Sequence, residues 1–291
     1  MWYGTVGVLK RDMLSWWFRP PFLRAWGRKS STLFAGPWLG EFGWELLNWQ
    51  PFLRWLAPAY DNVIVSCRPG TEALYEDFAH GFSPHNVRGV SETNTMLSVD
   101  TPDALARALS AVPSGADHLQ RVGWQPDARK VFIPYGDHDP GLATDVLFHP
   151  RGRGFGAGRN WDAEKWAVLL DALCGQGLRV GCIGLSNATL PLRGDWIDYR
   201  DRPLAETMNI IASTRLVIGP SSGPMHLASL CRTPHVVWTD ARGYARGRTN
   251  RTKYERWWNP FDTPAYVLDD EGFDPSVATV LDATTAALRR G

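Results

Sequence analysis

The sequence predicts an α/β fold built on parallel sheets, and three observations carry that prediction. Between residues 145 and 238, short apolar runs alternate with segments of helical spacing, the pattern of parallel strands covered by helices on both faces. The stretch from Val217 to Ala228 reads as a buried strand ending at Gly219-Pro220, a tight turn at Ser221-Ser222-Gly223, and a helix with Pro224 in its first turn. A length of 291 residues with 44% hydrophobic and 21% charged residues suits one large or two ordinary globular domains, which excludes a chain dominated by disorder.

The elements follow in order. Thr32 to Ala35 is the first expected strand, ending at Gly36-Pro37. Leu46, Trp49, Leu53 and Leu56 recur at spacings of three and four, so a helix follows, and Pro51 inside it predicts a kink or a restart. Further expectations in the first half are a strand at Asn62 to Ser66, short helices at Thr71 to Ala79 and Pro102 to Val112, and a strand at Lys130 to Pro134. The Gly/Asp/Pro-rich loop Tyr135 to Gly141 divides the halves, giving an arm at 1–31 and domains at 32–140 and 141–291. In the second half the expected strands are Asp145 to His149, Leu178 to Ile183, Arg215 to Ile218 and His235 to Trp238. The helices are Asp162 to Cys174, Leu204 to Ala212 and Met225 to Leu230, with a last one in Pro275 to Arg290 that would pack back across a neighbouring domain.

No uninterrupted apolar run reaches 18 residues, and the start lacks the basic-then-apolar order of a secretory leader, so a cytoplasmic protein is expected. Cys67, Cys174, Cys182 and Cys231 form no C-x-x-C pair and are expected as buried, reduced thiols. Net charge is only +1, but residues 1–29 and 241–258 each hold six Lys/Arg against one acid. Both segments carry aromatics, Trp16, Trp17 and Trp26 in the first and Tyr244, Tyr254, Trp257 and Trp258 in the last. Such segments grip phosphates and stack on bases or sugars; the alternative is Arg stems packed on surface tryptophans. Residues 1–29 equally suit contact with a membrane surface.

Loops at strand carboxyl ends hold the candidate chemistry. A strand that stops at a helix N-terminus points unpaired N–H groups and the positive dipole end at a bound anion, so Ser221, Ser222 and Gly223 are read as a diphosphate site, with His226 able to touch phosphate or to be a core histidine. The Gly-rich loop 150–160 adds Arg151, Arg153 and Arg159, three guanidinium groups suited to an anionic ligand. Gly184, in the loop after the second of these strands, is a candidate wall for base or ribose. In the first half, Glu41 and Glu45 stand four apart and would share a helix face, where mutual repulsion raises one pKa toward that of a general base. Helix-start electrostatics is the plainer reading of that pair. Trp44 and Asn48 are secondary acceptor candidates.

These residues carry a resemblance. Gly40-Glu41 after a first strand, Trp161 with Glu164, Lys165 and Trp166, Pro203-Leu204-Ala205-Glu206 before Ile210-Ile211-Ala212, and Gly219 to Ala228 together resemble the heptosyltransferase-type, family 9-like glycosyltransferases. The resemblance implies the GT-B architecture, two Rossmann-like domains facing across a cleft, with a nucleotide sugar held by the second. It implies Glu41 as the base of an inverting transfer, although the family usually has Asp there. Ser221-Ser222-Gly223 replaces the family's Asp-Ser-Gly, and an arginine takes the place of its loop lysine.

The expected activity is therefore metal-independent, inverting sugar transfer from a nucleotide sugar, taken as a UDP-sugar co-substrate, with no permanently bound cofactor. The acceptor is a glycan or lipid-linked saccharide, or a hydroxymethylated base in DNA. The alternative is a non-catalytic nucleotide-sugar or nucleic-acid binding module on the same scaffold.

Overall fold

The computed structural model describes residues 30–88, 101–120, 122–154, 156–241 and 249–290. The chain forms two compact units, Met1–Phe132 and Ile133–Gly291. Of the expected arm at 1–31, residues 1–29, with the expected membrane or DNA contact, lie outside the described residues, as does Tyr244.

Unit 1 is built on a four-stranded parallel sheet of β1 (Thr32–Ala35), β2 (Asn62–Val65), β3 (Gly81–Phe82) and β4 (Asp117–Leu119), in the order β3-β2-β1-β4. Helix α1 covers residues 42–56 in three pieces: α-helical Phe42–Trp44, a π segment Glu45–Trp49, and α-helical Gln50–Leu56. The expected break at Pro51 is thus absorbed by a π segment just before it, which accommodates the missing N–H without ending the helix. Helix α2 spans Pro102–Ser110.

Two expectations fail here. Residues 71–79 form only a 3₁₀ turn, Glu72–Leu74, followed by further turns, and Lys130 to Pro134 joins no sheet. Both segments are held by one side chain. Arg54, 6% exposed, donates to the carbonyls of Leu74 and Val131 at 3.1 Å each and pairs with Asp77 at 2.6 Å. A guanidinium fork satisfies backbone carbonyls that regular structure would otherwise pair.

Unit 2 carries six parallel strands, β5 (Thr144–Phe148), β6 (Val180–Cys182), β7 (Ile197–Asp198), β8 (Thr214–Pro220), β9 (His235–Trp238) and β10 (Ala265–Leu268), ordered β10-β9-β8-β5-β6-β7. Helices α3 (Ala163–Cys174), α4 (Leu204–Ala212), α5 (Gly223–Leu230) and α7 (Val277–Arg290) cover it, with a short helical segment α6 at residues 250–257. Asp162 caps α3, its carboxylate accepting from Glu164 N–H at 2.8 Å and Lys165 N–H at 3.4 Å. Tyr135, Asp137 and Asp139 bond through their N–H groups to Leu230, Asn209 and Ser213 of this unit. The expected dividing loop therefore packs with the second unit.

The core of unit 2 is a tryptophan cluster. Trp161, Trp166 and Trp238 are fully buried, with ring centroids 5.0 to 5.4 Å apart, and Val280 and Ala287 of α7 join the same core. Such pairs contribute about 0.5–1.5 kcal/mol each beyond area burial. With Trp38 and Trp49 stacked at 5.0 Å in unit 1, five of the fifteen tryptophans are core residues, which accounts for part of the unusual count without any ligand. Cys67, Cys182 and Cys231 are buried free thiols; Cys174, expected with them, is half-buried. Among the described residues no helix is long and apolar enough to cross a membrane.

Candidate functional site

In an open parallel sheet, ligands collect at strand carboxyl ends where the strand order reverses. That point in unit 2 is β5, flanked by β6 on one side and β8 on the other. The loops leaving β5, β6 and β8 are the three that hold the predicted donor-binding residues.

The loop after β5 is anchored by Arg151. Its side chain is 1% exposed and donates to the Gly156 carbonyl at 3.0 Å and to the side-chain oxygen of Asn160. Asn160 in turn donates to the Arg153 carbonyl at 2.9 Å, closing the loop on itself. Gly156 marks where two guanidinium groups meet. A Cβ there would lie 3.1 Å from Arg159 Nη2 and 3.3 Å from Arg151 Nη2. Arg153, the third predicted cation, is exposed at the loop's outer edge.

Gly184 follows β6 with φ +121°, and a Cβ would crowd Thr189 Cγ2 at 2.6 Å and His149 Nδ1 at 3.2 Å. Only glycine suits that backbone and that approach. His149, at the end of β5, is pushed down to about 4 by burial, so the ring is neutral. It is a wall residue that sequence reading passed over, since a single His in an apolar run carries no spacing signal.

The loop after β8 leads into α5. Ser221 N–H bonds to the Trp238 carbonyl at 2.9 Å, and its hydroxyl accepts from Tyr254 at 2.8 Å. Ser222 is the extended N-cap residue; its hydroxyl bonds back to the Pro220 carbonyl at 2.9 Å instead of capping the helix. With Pro224 in the first turn, the helix opens with an uncapped N-terminus. His226 is buried beneath this turn, stacked on Tyr254 with centroids 5.1 Å apart and edge-on to Trp258 at 4.7 Å. Burial first, then His235 and Arg159, push it down to about 3, and its Nδ1 has no hydrogen-bond partner. The core reading of His226 thus fits its burial.

Tyr254 and Trp258 were read as part of a base-stacking surface. Tyr254 is instead fully buried against Ser221 and His226, which takes that ring out of the expected stacking surface, while Trp257 and Trp258 are half-buried. The expectation of a metal-independent site takes support from the absence of a D-x-D stretch, and that ground fails, because Asp137-His138-Asp139 has the spacing. Asp139 accepts from Gly141 N–H at 2.8 Å as a turn cap, and among the described residues no three His, Cys, Asp or Glu side chains cluster as a metal site.

Unit 1 has its own switch point at β1, which lies between β2 and β4. The loop after β1 ends at Gly40-Glu41. Gly40 leaves no room for a Cβ against the Trp38 ring, so the glycine before the acid is set by packing. Glu41 is half-buried and extended, the residue before α1, with no side-chain cap bond. Glu45 is its opposite. It is fully buried, ion-paired to Arg68 at 2.9 Å, and accepts from Tyr75 at 2.6 Å. Burial raises its pKa, and Arg68, then Tyr75, pull it back. The perturbation expected from Glu41–Glu45 repulsion therefore arises from desolvation. Asn48 is buried and holds the loop 123–125 by bonds to Gly123 O at 3.1 Å and Gln125 N–H at 2.7 Å, while Trp44 meets Trp124 edge-on at 5.0 Å.

No family model matches the chain and no curated protein matches it in sequence. Solved structures do match in fold. The chain is similar to the glycosyl transferase family 9 protein of Veillonella parvula, with a TM-score of 0.60 at 12% identity over 89% of this chain and 97% of that one. It is similar to the ADP-heptose LPS heptosyltransferase II of E. coli, with a TM-score of 0.54 at 14% identity over 89% and 98% of the two chains. The E. coli heptosyltransferase WaaC with ADP-2-deoxy-2-fluoro heptose matches at a TM-score of 0.51 and 10% identity, covering 89% and 99%. The expected fold class is thereby met: two Rossmann-like units of the GT-B kind.

Proposed function

We propose that this chain is a glycosyltransferase that moves a sugar from a nucleotide-sugar donor to an acceptor hydroxyl with inversion and without a metal. The observation that carries the reading is the gathering, at the β5/β8 switch point of a GT-B-type unit, of the Arg151–Arg159 guanidinium pair and the uncapped N-terminus of α5. Both favour an anion, and both gain strength as the leaving diphosphate accumulates charge. In this reading Arg159 holds the diphosphate with Ser222 and Gly223, while the buried Arg151 braces the loop from within. Arg153 sits at the rim, Gly184 and His149 border the nucleoside, and His226 supports the turn from below.

In the proposed step, Glu41 takes the proton of the acceptor hydroxyl as its oxygen attacks the anomeric carbon. The bond to the diphosphate oxygen breaks, and its electron pair leaves with the nucleotide. Glu45 is assigned to positioning: its ion pair fixes Arg68, which donates to the Gly40 carbonyl immediately before Glu41. The donor is proposed as a UDP-sugar. ADP-sugars are the competing class, because the similar WaaC structure holds an ADP-sugar analogue. A saccharide or lipid-linked acceptor is favoured over DNA, since the buried Tyr254 removes one of the stacking rings on which the DNA reading rested.

The test is turnover of a panel of UDP- and ADP-sugars, read by mass spectrometry of saccharide and nucleoside-digest acceptors. Glu41→Gln is expected to keep nucleotide affinity and lower kcat by about 10²–10⁴-fold. Turnover near that of the unmodified chain removes Glu41 from the mechanism. Nucleotide-sugar binding without transfer to any acceptor supports the binding-module reading instead.

A further inference from the structure

The two serines of the turn after β8 use their hydroxyl protons differently. Ser222 donates its own to the Pro220 carbonyl at 2.9 Å. Ser221 has its N–H committed to the Trp238 carbonyl at 2.9 Å, and its hydroxyl oxygen receives the phenol of Tyr254 at 2.8 Å. The phenol is the more acidic of these two hydroxyls and is therefore the donor. That leaves the Ser221 proton with no acceptor among the described residues, on a half-buried side chain immediately after β8.

Tyr254 is fixed in place. It is fully buried, stacked on His226 at 5.1 Å and edge-on to Trp258 at 5.2 Å. Its segment α6 is tied to the end of β9 by Asn250, which donates to Thr239 Oγ1 at 3.0 Å and to the Asp240 carbonyl at 2.8 Å. Asn250 also accepts from the buried Lys253 at 2.8 Å. A phenol held this way occupies one lone pair of the Ser221 oxygen, sets the hydroxyl rotor and polarises its O–H, since hydrogen bonds in series strengthen one another. A cation stands within reach of the same group of side chains. Burial first, then His235 and Arg159, lower the pKa of His226, so the Arg159 charge is felt at the ring on which Tyr254 stacks.

We propose that Tyr254 is a positioning residue of the donor site, acting through Ser221 so that the serine hydroxyl donates to a phosphate oxygen of the nucleotide diphosphate. The proposal rests on the sugar-transfer reading and deepens it: Arg159 supplies charge to the diphosphate, and the Tyr254–Ser221 pair supplies a directed proton. Tyr254 itself touches no ligand. Charge on the phosphate oxygens grows as the sugar departs, so the serine's hydrogen bond tightens during transfer.

Titration calorimetry of the full chain with UDP, ADP, UDP-glucose and ADP-glucose tests it without requiring turnover. Tyr254→Phe keeps the ring against His226 and Trp258 and removes only the phenol oxygen. It is expected to bind the nucleotide diphosphate about threefold more weakly, and Ser221→Ala about tenfold more weakly. The double variant is expected to match Ser221→Ala, because a phenol that acts through the serine then has nothing left to direct. This comparison separates the proposal from a packing role, since two independent packing losses add. Additive losses, or a Tyr254→Phe affinity equal to that of the unmodified chain, overturn the relay. A loss confined to the two nucleotide sugars, with UDP and ADP bound as before, overturns the phosphate assignment. If none of the four ligands binds the unmodified chain, the sugar-transfer reading falls and takes the relay with it. If one binds and both single variants bind it equally well, only the relay falls.

Discussion

The two units solve the same problem, closing a parallel sheet, with different materials. Unit 2 does it with apolar mass: the Trp161–Trp166–Trp238 cluster fills the space beneath α3 and α7. Unit 1 has shorter strands and, beside its Trp38–Trp49 stack, relies on buried charge, with Arg54 binding two irregular segments and Glu45 locked between Arg68 and Tyr75. The difference teaches where periodicity can be trusted. Apolar packing follows the 3.6- and 2-residue periods directly, whereas a guanidinium fork stabilises backbone of any shape within its reach.

Four changes would break or sharpen this contrast. Trp166→Ala should be the most damaging, costing about 3–5 kcal/mol in denaturant unfolding because it empties the centre of the unit 2 core. Arg54→Ala should approach that figure, about 3–5 kcal/mol, by leaving the Asp77 carboxylate and the Leu74 and Val131 carbonyls without their partner. Arg54→Lys should recover little of it, since one ammonium cannot replace the fork; near-complete rescue would mean that charge alone matters. Gly184→Ala should cost about 1–3 kcal/mol from its positive φ and the Thr189 contact, and should weaken nucleotide binding, read by thermal midpoint and titration.

The subtlest effect is of pH, and its balance differs between the units. His149 and His235 are pushed down to about 4 and His226 to about 3, from 6.5 in the unfolded chain. Between those values the unfolded state binds protons that the folded state refuses. Their stabilisation is therefore complete above pH 6.5 and lost as pH falls. In unit 1 only His85 behaves this way, and Glu45 opposes it. The Glu45 carboxyl holds its proton above the ordinary 4.5, so its contribution is complete below that value and fades as pH rises. Hydrogen exchange followed by mass spectrometry, corrected for intrinsic rates, should show unit 2 peptides losing protection first between pH 6.5 and 4. Glu45→Gln should remove the counter-trend from unit 1, and equal acid sensitivity in both units of the unmodified chain would refute the assignment.

The sequence by itself determined the alternation of unit 2, with α4 and β9 at their expected bounds, because each element there buries one apolar face against one sheet. It also located the turn at Ser221-Ser222-Gly223 and the arginine loop, since Gly, Pro, Ser and Arg declare local geometry and charge without reference to distant residues. Only the tertiary structure decided which arginines meet at Gly156, that Tyr254 lies under the Ser221 turn, and that Glu45 is a buried ion-pair partner while Glu41 is only half-buried. It also decided the fates of residues 71–79 and 130–134, which Arg54 claims from 20 and 77 residues away along the chain. The reason is common to all of these. Local propensity is written in neighbouring residues, whereas burial and the partner of a charge are set by contacts between segments that no spacing along the chain encodes.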